Sequence, residues 1–176
     1  MTRMFSPYRK PISALRWVLS FVAVVILVWI WAQFLRGELR SFKVISGSME
    51  PTLRIGDFVL AQRPNSSEPL LGRIIAFEEP SQQGEIVTKR VVAVAGDRVA
   101  AFDRAVYVNG KPLPVPWQRV RQAKYRRVIV PRDHVFVLGD NRENSVDSLD
   151  YGPIPKEKII GVVFLRYWPL SALGRL

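Results

Sequence analysis

Three short polar clusters along the chain carry side chains that could perform nucleophilic chemistry. The first runs from Ser46 to Leu53 and contains two hydroxyls two residues apart, those of Ser46 and Ser48. In an extended chain such side chains face the same way, so the pair could supply a nucleophile and a donor for a developing oxyanion. The alternative for a Ser-Gly-Ser sequence is an ordinary turn.

The second cluster contains a lysine inside the apolar run Ile86 to Ala95. Strand alternation predicts that Lys89 shares one face with Val87, Val91 and Ala93. Burial disfavours an ammonium ion and lowers the pKa of a lysine, so the amine could accept a proton near neutral pH. The alternative is an edge-strand lysine whose amine extends into solvent.

The third cluster, residues 139–148, follows the apolar run Val135 to Leu138 directly. Polar loops at the ends of strands are favoured positions for functional groups. A solvated turn and a calcium loop are the alternatives. The calcium loop fits badly, because Arg142 occupies a position where an oxygen ligand is needed.

The composition excludes several kinds of site. The chain has 176 residues, no cysteine and one histidine, His134. Disulfides, thiol nucleophiles and Cys-ligated metals are therefore excluded, and a histidine-based zinc site lacks ligands. A Ser-His-Asp triad would have to use His134. The sequence predicts no metal and no cofactor.

The net charge of +11 raises the question of nucleic-acid binding. Basic residues occur from Arg3 to Arg175, without the recognition helix or the aromatic platform of a dedicated binder. An anionic membrane surface explains the charge equally well, so we expect membrane lipid rather than nucleic acid as the partner.

An uncharged run of 19 residues, from Trp17 to Leu35, lies between Arg16 and Arg36. As a helix it would be about 28 Å long, which matches a bilayer core of roughly 30 Å. A cleavable leader is the alternative, but the run is long for one and no small-x-small cleavage site follows it. The pattern therefore favours a transmembrane helix.

After Arg36 the sequence changes to short β-branched runs separated by Gly, Pro, Asn and Asp, which predicts a mainly β, antiparallel domain. Asn109-Gly110 predicts a hairpin turn, and Pro112 to Trp117 predicts an exposed excursion. The predicted strands are Phe42–Ser46, Asp57–Gln62, Arg73–Phe77, Ile86–Ala95, Ala105–Val108, Arg126–Val130, Val135–Leu138 and Ile159–Tyr167.

The three clusters, in this order behind one apolar span, resemble the signature of bacterial type I signal peptidases, also called leader peptidases. Residues 46–53 resemble the Ser-Gly-Ser-Met-x-Pro-Thr-Leu box of that family, and residues 89–92 with Gly96-Asp97 resemble its lysine box. Residues 139–142 and 147–148 resemble its last box, and the closing Arg-Tyr-Trp-Pro-Leu of residues 166–170 is similar to the end of many members. The resemblance covers nearly the whole chain.

The resemblance implies a serine endopeptidase that uses a Ser-Lys dyad and no histidine. It implies that Ser48 is the nucleophile and Lys89 the general base. The Ser46 hydroxyl and the Ser48 backbone amide would form the oxyanion hole, and Ser145 would orient the lysine amine. Preproteins with signal peptides would be the substrates, cut at small-x-small sites.

Asp147 would support the last box structurally, through Arg142. Leu149 stands where the family usually has an arginine, so an ion pair to Asp147 would have to come from Arg142 or another residue. Ile45 also departs from the pattern, as do two alanines, 93 and 95, which replace the usual glycine and proline.

The resemblance places two segments, Phe42–Ser48 and Ile86–Lys89, beside the scissile bond, and both are predicted to be strands. A substrate paired between them would turn alternate side chains into the protein. Bulky apolar walls predict shallow pockets that accept only small residues. The predicted pocket residues are Val44, Ile45, Met49, Leu53 and Val87.

The sequence thus predicts a cytoplasmic tail at residues 1–16, a transmembrane helix at 17–35 and an extracytoplasmic catalytic β-domain at 36–176. Residues 98–133 are expected to form a smaller excursion of that domain. The predicted location is the bacterial plasma (inner) membrane, with the protein-translocation machinery as a further partner. A Ser-Lys protease with narrow clientele and a non-enzymatic basic binding protein are the rival interpretations.

Overall fold

The computed structural model describes residues 14–65, 68–82, 84–102, 105–113 and 127–176. It divides into two compact units, residues 1–38 and residues 39–176, which are described separately. The predicted tail lies outside the described residues up to position 13. The excursion predicted from Pro112 onward lies outside them between residues 114 and 126.

In its described part, residues 14–38, the first unit contains one helix, α1 (Ala14–Leu35), of 22 residues. Its length and apolar composition are sufficient to cross a membrane, and none of its residues is buried inside the protein. The predicted apolar helix is therefore confirmed. It begins earlier than predicted, at Ala14, so that Arg16 belongs to its first turn.

The second unit is mainly antiparallel β-sheet, as predicted. The elements of its larger sheet are β1 (Leu39–Lys43), β2 (Phe58–Gln62), β3 (Ile74–Glu78), β4 (Ile86–Val94), β9 (His134–Leu138), β10 (Ile154–Pro155), β11 (Ile159–Trp168) and β12 (Gly174–Arg175). Their spatial order is β1-β2-β11-β3-β4-β9-β10, with β12 paired to the end of β11. The short helix α2 (Ser148–Tyr151) lies between β9 and β10 in the chain.

The smaller, four-stranded sheet consists of β5 (Arg98–Phe102), β6 (Ala105–Val108), β7 (Lys111–Pro112) and β8 (Arg127–Ile129) in the order β7-β6-β5-β8. Asn109 and Gly110 connect β6 to β7 with φ values of 53° and 79°. Two positive φ values in succession are what a tight hairpin turn of this kind requires. Strand β5 is not predicted from the sequence, because Arg-Val-Ala-Ala-Phe has a weak β pattern.

Two apolar clusters of the larger sheet position the functional residues. One contains the serine-box residues Met49 and Leu53 together with Val59, Ile74 and Val163. The other covers the opposite face and contains Ile75, Phe77, Val91, Val137 and Ile154, among others. The serine segment and the lysine strand are thereby fixed to one sheet.

Candidate active site

Ser48 lies in a single 3-10 turn, Gly47–Met49, and is 7% exposed. The sequence predicts an extended chain through residue 48, and this is wrong. The Ser46 backbone is still extended, but the chain turns immediately after it. The two hydroxyls nevertheless meet, with 3.3 Å between Ser46 Oγ and Ser48 Oγ.

The turn is held in place by the side chains that follow Ser48. Met49 and Leu53 are fully buried in one apolar cluster, and the Leu53 N–H donates to the Met49 carbonyl at 2.9 Å. Because Ser48 is the second residue of the turn, its N–H is among the first amides, which have no acceptor within a helical turn. It is thus available to a ligand.

Lys89 lies in the middle of β4, pairs with Ile75 of β3 and is 4% exposed. Like Ile75, Val87 and Val91 belong to the apolar cluster on one face of the sheet, as strand alternation predicts for the Lys89 face. The prediction for Ala93 is wrong: a β-bulge between Val91 and Ala93 shifts the alternation, and Ala93 packs in a different cluster.

The register of β4 and β9 places Lys89 near Ser48. Leu138 pairs with Arg90, so the next step along the two strands sets Gly139 opposite Lys89. Opposite residues of an antiparallel pair project to the same face. A Cβ at Gly139 would overlap the Ser145 side chain and lie 2.6 Å from the Ser48 carbonyl oxygen. Lys89 therefore leaves the sheet on the face where the Ser145 side chain and the Ser48 carbonyl lie.

The electrostatic setting of Lys89 combines an apolar wall with nearby acids. Burial lowers the pKa of Lys89 below its ordinary value, and the carboxylates of Asp147, Glu79 and Asp150 act in the opposite direction. Burial is the larger effect, because an isolated ammonium ion is poorly tolerated in an apolar environment. The amine is thus a stronger candidate base than a surface lysine.

Asp147 organises the loop that faces Lys89. Its carboxylate accepts hydrogen bonds from Ser145 Oγ at 2.8 Å, the Gly139 N–H at 3.0 Å and the Leu149 N–H at 3.1 Å. It also forms the N-cap of α2, in a reciprocal capping box with Asp150. Burial raises the pKa of Asp147, while these hydrogen bonds and the charge of Lys89 oppose the rise.

Arg142 and Leu149 complete that loop. Arg142 Nε donates to the Gly139 carbonyl at 2.7 Å, and the Gly139 N–H donates to Asp147. Arg142 is thus linked to Asp147 through Gly139. Leu149, at the usual arginine position, is buried in an apolar cluster with Phe136 and Leu138.

Asn141 joins this loop to the nucleophile turn, a contact that the sequence reasoning missed. Its N–H donates to the Ser48 carbonyl at 3.0 Å, and its side-chain Nδ2 donates to the Gly47 carbonyl at 3.0 Å. Both acceptors belong to the turn that carries the Ser48 hydroxyl. The sequence indicates a role for Asn141 only through its position in the last family box, residues 139–142.

A second missed group connects all three boxes. Asp140 has no exposed surface and accepts two hydrogen bonds from Arg90, Nε at 2.8 Å and Nη2 at 2.7 Å. Thr52 Oγ1 donates to the same carboxylate at 2.6 Å. Thr52, Arg90 and Asp140 each lie within one of the three family boxes, so the sequence draws attention to all three. Sequence order does not show, however, that their side chains contact one another.

The predicted pocket residues lie in different environments. Val44, Met49 and Leu53 are buried in the cluster beneath the serine turn, whereas Ile45 is 79% exposed and Val87 is partly buried. Their role in substrate binding stays a prediction. Within the described ranges, no group of three or more His, Asp or Glu residues could hold a metal ion.

A serine hydroxyl beside a second hydroxyl, with a buried lysine on the face of the sheet that the Ser48 carbonyl approaches, has the components of a serine hydrolase whose base is a lysine. The described part of the chain leaves His134 out of these contacts, since its Nδ1 lies 2.8 Å from the Arg132 carbonyl at the start of β9. The class of site is therefore that of a Ser-Lys hydrolase on a β-sheet scaffold.

Comparison with known proteins identifies the family. The model for "Signal peptidase, peptidase S26" matches residues 14–168. A protein of Synechocystis sp. described as "Probable signal peptidase I-1" is 32% identical over 181 residues, which cover 97% of this chain and 91% of the relative. The chain therefore belongs to the signal peptidase family, whose members are serine endopeptidases that remove signal peptides.

Two further proteins are similar to parts of this chain. "Probable signal peptidase I-2" of the same organism is 37% identical over 139 residues, 74% of this chain, and the match spans 64% of that relative, slightly less than two thirds. The crystal structure of a signal peptidase I from Enterococcus faecalis V583 is 28% identical, with a TM-score of 0.48 over 56% of this chain and 98% of that one.

Gly139→Ala tests the close approach of the lysine strand, the serine turn and the last loop. The added methyl would overlap Ser145 and the Ser48 carbonyl, so we expect cleavage activity to fall at least about tenfold and stability by about 1 to 3 kcal/mol. Gly174→Ala is the matched control, because a Cβ there meets nothing closer than 4.0 Å. Equal activity of the two variants in a preprotein cleavage assay would contradict this geometry.

Proposed function

We propose that this protein removes signal peptides from exported preproteins with Ser48 as nucleophile and Lys89 as general base. The observation that carries the proposal is the position of Lys89: a buried lysine opposite Gly139, whose Cα faces Ser145 and the Ser48 carbonyl. Family membership supports the reaction, and the geometry supports the assignment of roles.

The neutral Lys89 amine takes the proton of Ser48 Oγ as that oxygen attacks the scissile carbonyl carbon. The resulting oxyanion accepts hydrogen bonds from the Ser46 hydroxyl and the Ser48 N–H. Lys89 then donates its proton to the departing amine, which leaves an ester on Ser48. Lys89 then takes a proton from a water molecule as that water attacks the ester carbonyl. The bond from the acyl carbon to Ser48 Oγ breaks, the new carboxyl terminus leaves, and Lys89 returns the proton to Ser48 Oγ.

Ser145 orients the Lys89 amine, and Asp147 holds Ser145. The hydrogen bond from Ser145 Oγ to Asp147 fixes the hydroxyl in a direction compatible with accepting a bond from the amine. Asp147 thereby acts on the reaction through Ser145, while Arg142 maintains the loop through Gly139.

The substrate binds as an added strand beside β4. Residues 86–90 of β4 pair with β3 on one side, whereas β9 pairs only with residues from Arg90 onward on the other. In the described part of the chain, the remaining edge of Ile86–Thr88 pairs with no strand. Strand addition at that edge gives affinity without reading side chains, so the pockets set the specificity.

The protein is anchored in the bacterial plasma membrane by α1, with residues 39–176 on the extracytoplasmic side, where exported preproteins arrive through the translocation machinery. Residues 98–132 contain nine Lys or Arg and one Asp, a net of +8 out of the +11 of the chain. A positive region of this size favours contact with anionic lipid headgroups.

Ser48→Ala and Lys89→Ala each test the dyad. Each variant should lose roughly a thousandfold or more in single-turnover cleavage of a preprotein, and the double variant should lose no more, because the two residues act as one unit. Lys158→Ala is the control, since Lys158 is exposed and paired with Glu78 at 3.2 Å. Near-normal cleavage by Lys89→Ala would refute the assignment.

The pH dependence follows from the Lys89 environment. Only the deprotonated amine can accept the Ser48 proton, and burial lowers the pKa of Lys89. We expect kcat/KM to be low in acid, to rise as the pH passes through that lowered pKa, and to stay high above it. A profile that is flat from acidic to alkaline pH, with chemistry rate-limiting, is the contrary result.

The substrate positions can be tested one at a time. The residue before the cut and the one two positions earlier should have to be small, such as alanine, while the residue between them varies freely. A large side chain would overpack the pockets at a cost of about 1 to 3 kcal/mol, or roughly tenfold to a hundredfold in rate. Efficient cleavage after phenylalanine or leucine would contradict the predicted shallow pockets but would leave the assignment of Ser48 and Lys89 unaffected.

A further inference from the structure

Glu79 is a buried acid that the mechanism above does not use. It follows β3 directly and is 6% exposed. Its N–H donates to the Glu85 carbonyl at 2.9 Å, which continues the pairing of β3 with β4 one residue past the last ladder pair. Glu79 therefore keeps the strand alternation of Ile75 and Phe77 and shares their face of the sheet.

That face is the one that carries Lys89. Ile75 pairs with Lys89, and Phe77 pairs with Val87. Apart from Lys89 and Glu79, the side chains that β3 and the first half of β4 place on this face are apolar. Two opposite charges in such surroundings interact more strongly than they would in water.

The other ionisable groups that face Lys89 come from the last box and α2. Asp147 is engaged by Ser145, Gly139 and Leu149, and Asp150 completes the capping box of α2. The Tyr151 hydroxyl is buried, with no hydrogen-bond partner among the described residues. Glu79 lies at the end of β3 instead, four residues beyond Ile75 on the same face, and Ser81 Oγ donates to its Oε1 at 2.6 Å.

We propose that Glu79 is a positioning residue for the cleavage reaction, a buried counter-charge that stabilises the ammonium form of Lys89 as it takes the Ser48 proton. The inference rests on the proposed function, because it gives Glu79 a role only if Lys89 is the base. Glu79 also limits how far burial can weaken the base, since proton transfer to an amine without a partner would be unfavourable.

The electrostatics of two neighbours agree with this arrangement. Glu79 raises the pKa of Lys89, in the same direction as Asp147 and Asp150 and against the effect of burial. Burial, followed by the same three carboxylates, raises the pKa of the Tyr151 hydroxyl well above its ordinary value. The Tyr151 hydroxyl therefore stays neutral over the pH range of the assay and adds no charge to the groups around Lys89.

The test is the pH dependence of kcat/KM for the full chain in detergent with a preprotein substrate. Glu79→Gln should move the acid limb to lower pH, because the ammonium form loses a partner. On the acid limb the variant should be roughly twofold to fivefold faster than the parent, because more of its Lys89 is deprotonated. On the plateau it should be slower by a similar factor, because a weaker base accepts the Ser48 proton less efficiently. A crossover of the two curves is the expected signature.

Three variants complete the experiment. Glu78→Gln should leave the midpoint unchanged, because Glu78 lies on the opposite face and pairs with exposed Lys158. Glu79→Asp, which keeps the carboxylate, should have the same pH profile of kcat/KM as the parent protein. Glu79→Leu, which suits the apolar face, should give the same crossover if Glu79→Gln does not fold.

The outcomes separate this inference from the proposed function. A uniform loss of rate with an unchanged midpoint in Glu79→Gln or Glu79→Leu would show a merely structural role and overturn the inference, provided that Lys89→Ala abolishes cleavage. Retained cleavage by Lys89→Ala would instead overturn the proposed function, and the role of Glu79 with it.

Discussion

The burial of one amine, that of Lys89, is the constraint on which the rest of this site depends. A lysine in an apolar sheet must be neutral, or must have partners for its charge, because an isolated buried ammonium ion is strongly destabilising. The fold supplies both conditions: Val87 and Val91 make the surroundings apolar, and the carboxylates of Asp147, Glu79 and Asp150 raise the pKa of Lys89 against the effect of burial. Burial thus favours the neutral amine, while the carboxylates favour the ammonium form, and the proposed general base passes through both forms.

The close approach of chain segments at Gly139 brings other polar groups to the buried amine. Strand β9 ends at Leu138, and a residue without a side chain lets Ser145 and the Ser48 carbonyl reach the position opposite Lys89. The loop that follows is fixed from both directions, by Asn141 on the serine turn and by Asp147 on the Gly139 N–H. Chain segments far apart in sequence are thereby held in one geometry.

Much of this could be predicted from the sequence, because the relevant signals are local. The apolar helix, most strands and the side on which Lys89 lies follow from residue type and periodicity. The bulge that displaces Ala93 and the turn at Ser48 could not be predicted, since tertiary packing of Met49 and Leu53 sets them. The Arg90–Asp140 contact depends on strand register, which no single segment specifies.

Lys89 and Arg90 are neighbours in the chain, and their different chemistry explains their different surroundings. They point to opposite faces of β4, and one loop supplies a carboxylate to each face, Asp147 toward Lys89 and Asp140 toward Arg90. A guanidinium keeps its proton and binds a carboxylate through two parallel hydrogen bonds, which suits a permanent anchor. An amine can lose its proton when desolvated, which suits a base. Exchanging the two residues would therefore leave the anchor without its bidentate contact and, in the proposed mechanism, Ser48 without a group able to accept its proton.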